Sequence, residues 1–145
     1  MGLALDEAAV AGERGDVPVG AVVLGPEGQV LARRHNEREL RLDPTAHAEL
    51  LAMQDAAAVL GDWRLVGCTV VVTLEPCPMC AGLLVAARVA RVVFGAADPK
   101  AGACGTLYNL CTDPRLNHEV TVVAGVRGAA CSTQLTAFFA GRRGR

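Results

Sequence analysis

The sequence predicts an α/β protein of three layers, a mixed five-stranded sheet with helices on both faces. Three observations carry that reading. Short β-branched runs alternate with Ala- and Leu-rich segments of helical length. Two of those runs, Cys68–Leu74 and Val89–Gly95, are almost continuously apolar, as strands covered on both faces are. The chain has 145 residues, 52% hydrophobic and 20% charged, which suits a single globular domain over residues 1–145 with a core of its own.

Each element has a local reason. Leu3–Ala11 reads as a short helix with Asp6 and Glu7 near its positive end, and Gly12–Asp16 as a turn. Val17–Leu24 is a strand, Gly25-Pro26-Glu27-Gly28 has turn chemistry, and Val30–His35 returns as the antiparallel partner. Asp43-Pro44 is a helix entry, with Asp as cap and Pro pre-setting the first turn. A helix from about Ala46 to Leu60 puts Leu50, Leu51, Met53, Ala57 and Leu60 roughly on one face and stops at Gly61. After the strand Cys68–Leu74, the segment Pro76–Ala90 opens with prolines where a helix tolerates them. Val89–Gly95 and Val120–Val126 are further strands, and a last helix runs from Arg127 or Ala129 to Gly141. Ala96–Glu119 is long enough for a crossover, so the last two strands are expected to be parallel.

Composition narrows the function. No uncharged apolar run is long enough to cross a membrane, and Met1–Glu7 lacks the basic start and apolar core of a signal peptide. A cytoplasmic location is expected, with the six cysteines as thiols, thiolates or metal ligands rather than disulfides. A net charge of −1 excludes strong whole-molecule attraction to nucleic acid but leaves room for a local basic patch.

Two clusters carry chemistry: His47-Ala48-Glu49 at one helix start, and Pro76-Cys77-Pro78-Met79-Cys80 at another. Cys77 and Cys80 are three apart across a helix N-terminus, so both sulfurs can face one point, and the positive end of the helix favours thiolate, the form that binds zinc. His47 would be a third ligand. Three protein ligands leave the fourth tetrahedral position open, as in catalytic zinc sites, where bound water can have a pKa of about 7. Glu49 would face that water as a proton shuttle. Residues two apart in a regular helix point to nearly opposite sides, so His47 and Glu49 converge only if His47 sits in the entry turn. Taken alone, Cys77-Pro78-Met79-Cys80 also suits a thiol redox pair. Cys68, Cys104, Cys111 and Cys131 form no second pair in sequence and read as small buried thiols.

His-x-Glu followed by Pro-Cys-x-x-Cys is the known signature of the zinc nucleobase deaminases, so here the chemistry is assigned by resemblance. The resemblance runs along nearly the whole chain: Val17–Ala21, Asn36, Asp43–Glu49, Val72–Gly82, Val93–Gly95, Asp98–Gly102, Leu116–His118 and the Phe138-Phe139…Arg142-Arg143 ending. These blocks resemble the bacterial tRNA-specific adenosine deaminases, within the cytidine/deoxycytidylate deaminase superfamily. The first helix, beginning at Met1-Gly2-Leu3, is shorter than that family's. The resemblance implies a cytidine-deaminase-like fold. It implies one zinc held by His47, Cys77 and Cys80. Glu49 would move protons from the attacking water to adenine N1 and the departing ammonia, giving inosine at the wobble position of a tRNA anticodon stem-loop. Asn36 and the Ala48 N–H would hold the flipped base. Asp98, Lys100, Asn117, Phe139, Arg142 and Arg143 would hold the anticodon loop, whose unpaired nucleotides reduce the cost of splaying out the target base.

Alternatives remain at this stage. A free guanine or cytosine deaminase shares the zinc chemistry without needing an RNA surface, and a non-catalytic zinc or redox module needs neither. Arg142, Arg143 and Arg145 also suit a solvated tail. A homodimer is expected through the helix after Met79. That helix is apolar nearly all round at Ala81, Leu83, Leu84, Val85, Ala86 and Ala87, and needs a second cover, either a partner or the terminal helix. A charge at Leu84 is expected to break that dimer.

Overall fold

Valine-rich runs form the centre of the sheet in the computed structural model, which describes residues 1–143. The strands are β1 (Gly20–Leu24), β2 (Val30–His35), β3 (Thr69–Leu74), β4 (Arg91–Ala96) and β5 (Thr121–Val123), in spatial order β2-β1-β3-β4-β5. β1 is antiparallel to β2 and β3, whereas β3, β4 and β5 are mutually parallel. The helices are α1 (Gly2–Glu13), α2 (Arg38–Arg41), α3 (Ala48–Leu60), α4 (Pro78–Ala86) and α5 (Gly128–Arg143). α1 and α5 pack on one face of the sheet, and α3 and α4 on the other. The mixed five-stranded, three-layer architecture and the parallel last pair are as the sequence predicts.

The pleat explains the layers. Val22 and Val71 turn toward Ala4 of α1. Their neighbours Ala21, Val23, Val70 and Val72 turn the other way, onto Ala48, Ala52, Met53 and Ala56 of α3 and Leu84 of α4. Fully burying a valine stabilises by about 1.5–3 kcal/mol, so the paired register of β1, β3 and β4 is held from both sides. A one-residue slip would expose both sets of side chains.

Several elements differ from expectation for local reasons. β1 starts at Gly20, because Pro18 has no N–H for a ladder and the Val17 carbonyl accepts the Asn36 side-chain amide at 3.2 Å. α2 was not expected, since its cap is remote. The buried Asp16 carboxylate accepts the N–H groups of Glu39 at 2.7 Å and Leu40 at 3.2 Å. α3 buries the small stripe Ala48, Ala52 and Ala56 with Leu51 and Met53, so Leu60 turns outward. α4 ends at Ala86, where the Arg88 guanidinium donates to the carbonyls of Val85 and Ala86. β5 is a three-residue edge strand. α5 lies on the opposite face from α4, so it is not the cover for α4, and Leu84 faces the core rather than outward.

The carboxyl ends of β3 and β4 point the same way, and α4 leaves directly from the first of them. A crevice beyond such strand ends is where α/β sheets bind ligands. Gly20 sets the distance between β1 and α1. A Cβ there would strike the Ala4 carbonyl oxygen and come within 2.6 Å of the Ala8 nitrogen. Gly20→Ala is therefore expected to destabilise by about 3 kcal/mol, lowering Tm by roughly 10 °C in a thermal melt. An unchanged Tm would contradict this packing.

Candidate metal centre and active site

His47 is the cap residue of α3, with φ −78 and ψ 148, and so lies outside the helical turn. That extended conformation solves the two-residue problem, because the imidazole and the Glu49 side chain no longer diverge around one helix. Cys77 caps α4 in the same way, with Pro78 as its first helical residue. The His47 Nδ1 atom lies 3.6 Å from Cys77 Sγ and 3.6 Å from Cys80 Sγ, and all three ligand atoms fall within 4.8 Å of one another. A tetrahedral zinc with Zn–S of about 2.3 Å and Zn–N of about 2.0–2.1 Å spaces nitrogen and sulfur ligands by roughly 3.6 Å. The donor set and its spacing therefore fit zinc. Among the described residues this is the one cluster of three or more such ligands.

The electrostatics agree with metal binding. The hydrogen bond from the Cys80 thiol, and then that from His47, hold Cys77 down to about 3 against the upward push of burial. Cys80 moves upward because it donates to Cys77 and is buried. The two thiols are thus pushed in opposite directions, and metal binding displaces the protons of such ligands. Glu49 is 4% exposed, and burial raises its pKa above the ordinary carboxylate value.

A cavity of about 200 Å³ opens over this group, lined by Asn36, Ala48, Glu49, Glu75, Asp98 and Ala101 among others. Asn36 is buried. Its amide donates to the Val17 carbonyl and its oxygen accepts the Arg38 N–H at 3.2 Å, which leaves one N–H and one lone pair to offer a ligand. Ala48 is the first residue of α3, so its N–H is among those a helix leaves without an intrahelical partner. Asp98 accepts from the backbone N–H groups of Lys100 and Ala101, which turns the loop over the cavity.

The cavity adjoins a wider basin of about 820 Å³, with Val17, Arg38, Leu74 and Asp98 lining both. Lys100, Phe139 and Arg142 line the basin. Arg142 is exposed but anchored rather than a loose tail residue. Its guanidinium donates to the Gly15 carbonyl and stacks 4.6 Å from the Phe138 ring, which in turn meets Phe139 edge-on at 5.4 Å. The backbone of Arg143 ends α5, while its side chain, like Arg145, lies outside the described residues. Asn117 is not part of this site within one chain. It lines a separate depression, and the neighbouring His118 bonds the Val89 carbonyl at 2.7 Å, just before β4. The cavity lies beyond the far end of that six-residue strand, roughly 20 Å away at the usual rise.

Arg38, Val17 and Glu75 belong to the site and had no sequence signal beyond position near a motif. The four remaining cysteines are buried, as expected, but two of them do form a pair. The sulfurs of Cys104 and Cys111 lie 3.6 Å apart across a small loop.

The chain belongs to the MafB19-like deaminase family, whose family model matches residues 1–136. Within that class, its curated relatives include tRNA-specific adenosine deaminases. That of Bacillus subtilis (strain 168) is 52% identical over 136 residues, 94% of this chain and 84% of that one. That of Haemophilus influenzae is 41% identical over 143 residues, 99% of this chain and 83% of that one. A solved structure from a study of A-to-I editing by tRNA:A34 deaminases at the wobble position of transfer RNA superposes with a TM-score of 0.89 at 41% identity. The match covers 93% of this chain and 97% of that one. The protein is a deaminase.

Metal analysis of the purified protein is expected to give close to one zinc per chain, and Cys77→Ser to leave most chains without metal while still folded. Full zinc content in Cys77→Ser would remove Cys77 from the ligand set.

Proposed function

We propose that residues 1–145 act as one deaminase domain that converts adenosine to inosine by hydrolysis at the wobble position of a tRNA anticodon. The observation that carries this reading is the continuity of the two cavities. A narrow pocket over His47, Cys77, Cys80 and Glu49 opens into a basin bearing Arg38, Lys100, Phe139 and Arg142. A deaminase of free bases needs only the first. The second has cations for phosphates and an aromatic ring for an unpaired base, which is what a single-stranded RNA loop calls for. The names of the relatives support the same substrate.

Zinc held by His47, Cys77 and Cys80 would supply a Lewis acid that lowers the pKa of a water toward about 7. The rest falls to protein groups. The Glu49 carboxylate accepts a proton from the attacking water and returns protons to adenine N1 and the departing amine, while burial keeps its proton affinity high enough to do both. The free amide valences of Asn36 and the Ala48 N–H orient the base. Asp98 shapes the pocket rim, and Lys100, Phe139, Arg142 and Arg143 hold the flanking loop. Such an enzyme works in the cytoplasm, where tRNA is. Among the described residues no helix is long and apolar enough to cross a membrane.

The domain acts as a homodimer. α4 presents Pro78 and Ala86 to solvent and Met79, Gly82 and Leu83 half-buried, with no polar outer face and, among the described residues, no helix over it. Light scattering is expected to give about twice the chain's 15.0 kDa, and Leu83→Glu to shift the mass toward the monomer. A monomeric wild type would refute the dimer.

Incubation with tRNA followed by nucleoside analysis should yield inosine at the wobble position. Activity on free guanine or cytosine alone would overturn the proposal. Glu49→Ala is expected to keep its zinc and lose roughly 10²–10⁴-fold in rate. Near-normal turnover, or loss of the metal, would contradict the role given to Glu49.

A further inference from the structure

Glu75 is 2% exposed, and the deaminase mechanism makes no use of it. Its carboxylate collects four donors. One oxygen takes the Asp98 N–H at 3.1 Å and the Thr106 hydroxyl; the other takes the N–H groups of Cys104 at 3.0 Å and Thr106 at 3.1 Å. An ionised carboxylate offers about four acceptor sites and no hydrogen, and no other side chain does. A glutamine of the same shape would have to aim an NH₂ at two donors, leaving buried N–H groups unpaired. Gly102 completes the fit, since a Cβ there would lie 2.5 Å from Glu75 Oε1 and 2.6 Å from the Asp98 carbonyl oxygen.

The donors all belong to one loop, 98–106. Its Asp98 and Ala101 line the inner cavity, and its Lys100 lines the outer basin. Glu75 itself stands two residues before the ligand Cys77. Its own N–H bonds the Ala96 carbonyl at 2.8 Å, and the next residue's carbonyl accepts Ala103 N–H at 2.9 Å. We infer that Glu75 is a positioning residue that fixes the substrate-facing wall of the pocket at a set distance from the metal ligands. This rests on the proposed function only for what the wall binds. The clamp itself stands on the hydrogen bonds. Without it the wall is free to drift, and a misplacement of about 1 Å can cost up to 10²-fold in rate.

The test compares wild type, Glu75→Gln and Thr106→Val by zinc content, hydrogen exchange of residues 98–106, and kinetics on tRNA. Glu75→Gln is expected to keep its zinc, to lose exchange protection in 98–106 but not in β3 or α4, and to raise KM roughly tenfold with a smaller change in kcat. Thr106→Val, which removes only the hydroxyl, is expected to do the same to a lesser degree and to add little in the Glu75→Gln background, as coupled partners do. Should Glu75→Gln fail to fold, Thr106→Val alone reads the clamp. Unchanged exchange in 98–106, or a lowered Tm with KM unmoved, would overturn the inference. Wild-type inactivity on tRNA would instead overturn the proposed function, with the exchange pattern still deciding whether Glu75 holds the wall.

Discussion

One histidine nitrogen and two cysteine sulfurs meet at the starts of two helices, and the rest of the site is arranged around that meeting. It requires α3 and α4 to begin side by side beyond the sheet. α4 can do so because it leaves directly from the end of β3, and α3 because its stripe of buried alanines lets it lie close on β1 and β2. Both helices present their positive ends to the same point. The lowered pKa of Cys77 and the raised pKa values of Cys80 and the buried Glu49 all follow from that crowding.

The second constraint links the metal to whatever enters from solvent. The chain between the end of β3 and Cys77 is short, so a residue that grips the facing loop there sets the pocket width. Beyond the loop, the cationic and aromatic groups come from segments far apart in sequence: Arg38 before α3, Lys100 in the loop, and Phe139 and Arg142 on the final helix. The stacking of Arg142 on Phe138 and its bond to Gly15 give this end of α5 a fixed place against the turn after α1. A near-neutral chain can thus carry a local cationic basin beside a pocket lined by Glu49, Glu75 and Asp98.

What was legible in the sequence was what depends on near neighbours. The strand runs, the hairpin, the helix starts near the two motifs and the spacing of those motifs are local, and they specify both the layers and the ligand geometry; the cap read at Asp43 is not one, because its carboxylate accepts the Thr45 N–H in a turn and α3 begins only at Ala48, capped by His47. What was not legible depends on remote partners. α2 is capped by Asp16 from 23 residues before Glu39, so no neighbour announces it. Leu84 looks like any other residue of an apolar helix until the sheet decides which side is in. Asn117 sits within a block that resembles the family, yet resemblance does not say at which end of β4 the block lands. Cys104 and Cys111 are brought together only by the fold of their loop.

Zinc K-edge X-ray absorption on the purified protein tests the central claim most directly. The account predicts a first shell of two sulfurs at about 2.3 Å and nitrogen or oxygen neighbours at about 2.0–2.1 Å, with imidazole scattering from one histidine. A shell of four sulfurs, or one of oxygen and nitrogen only, would contradict it.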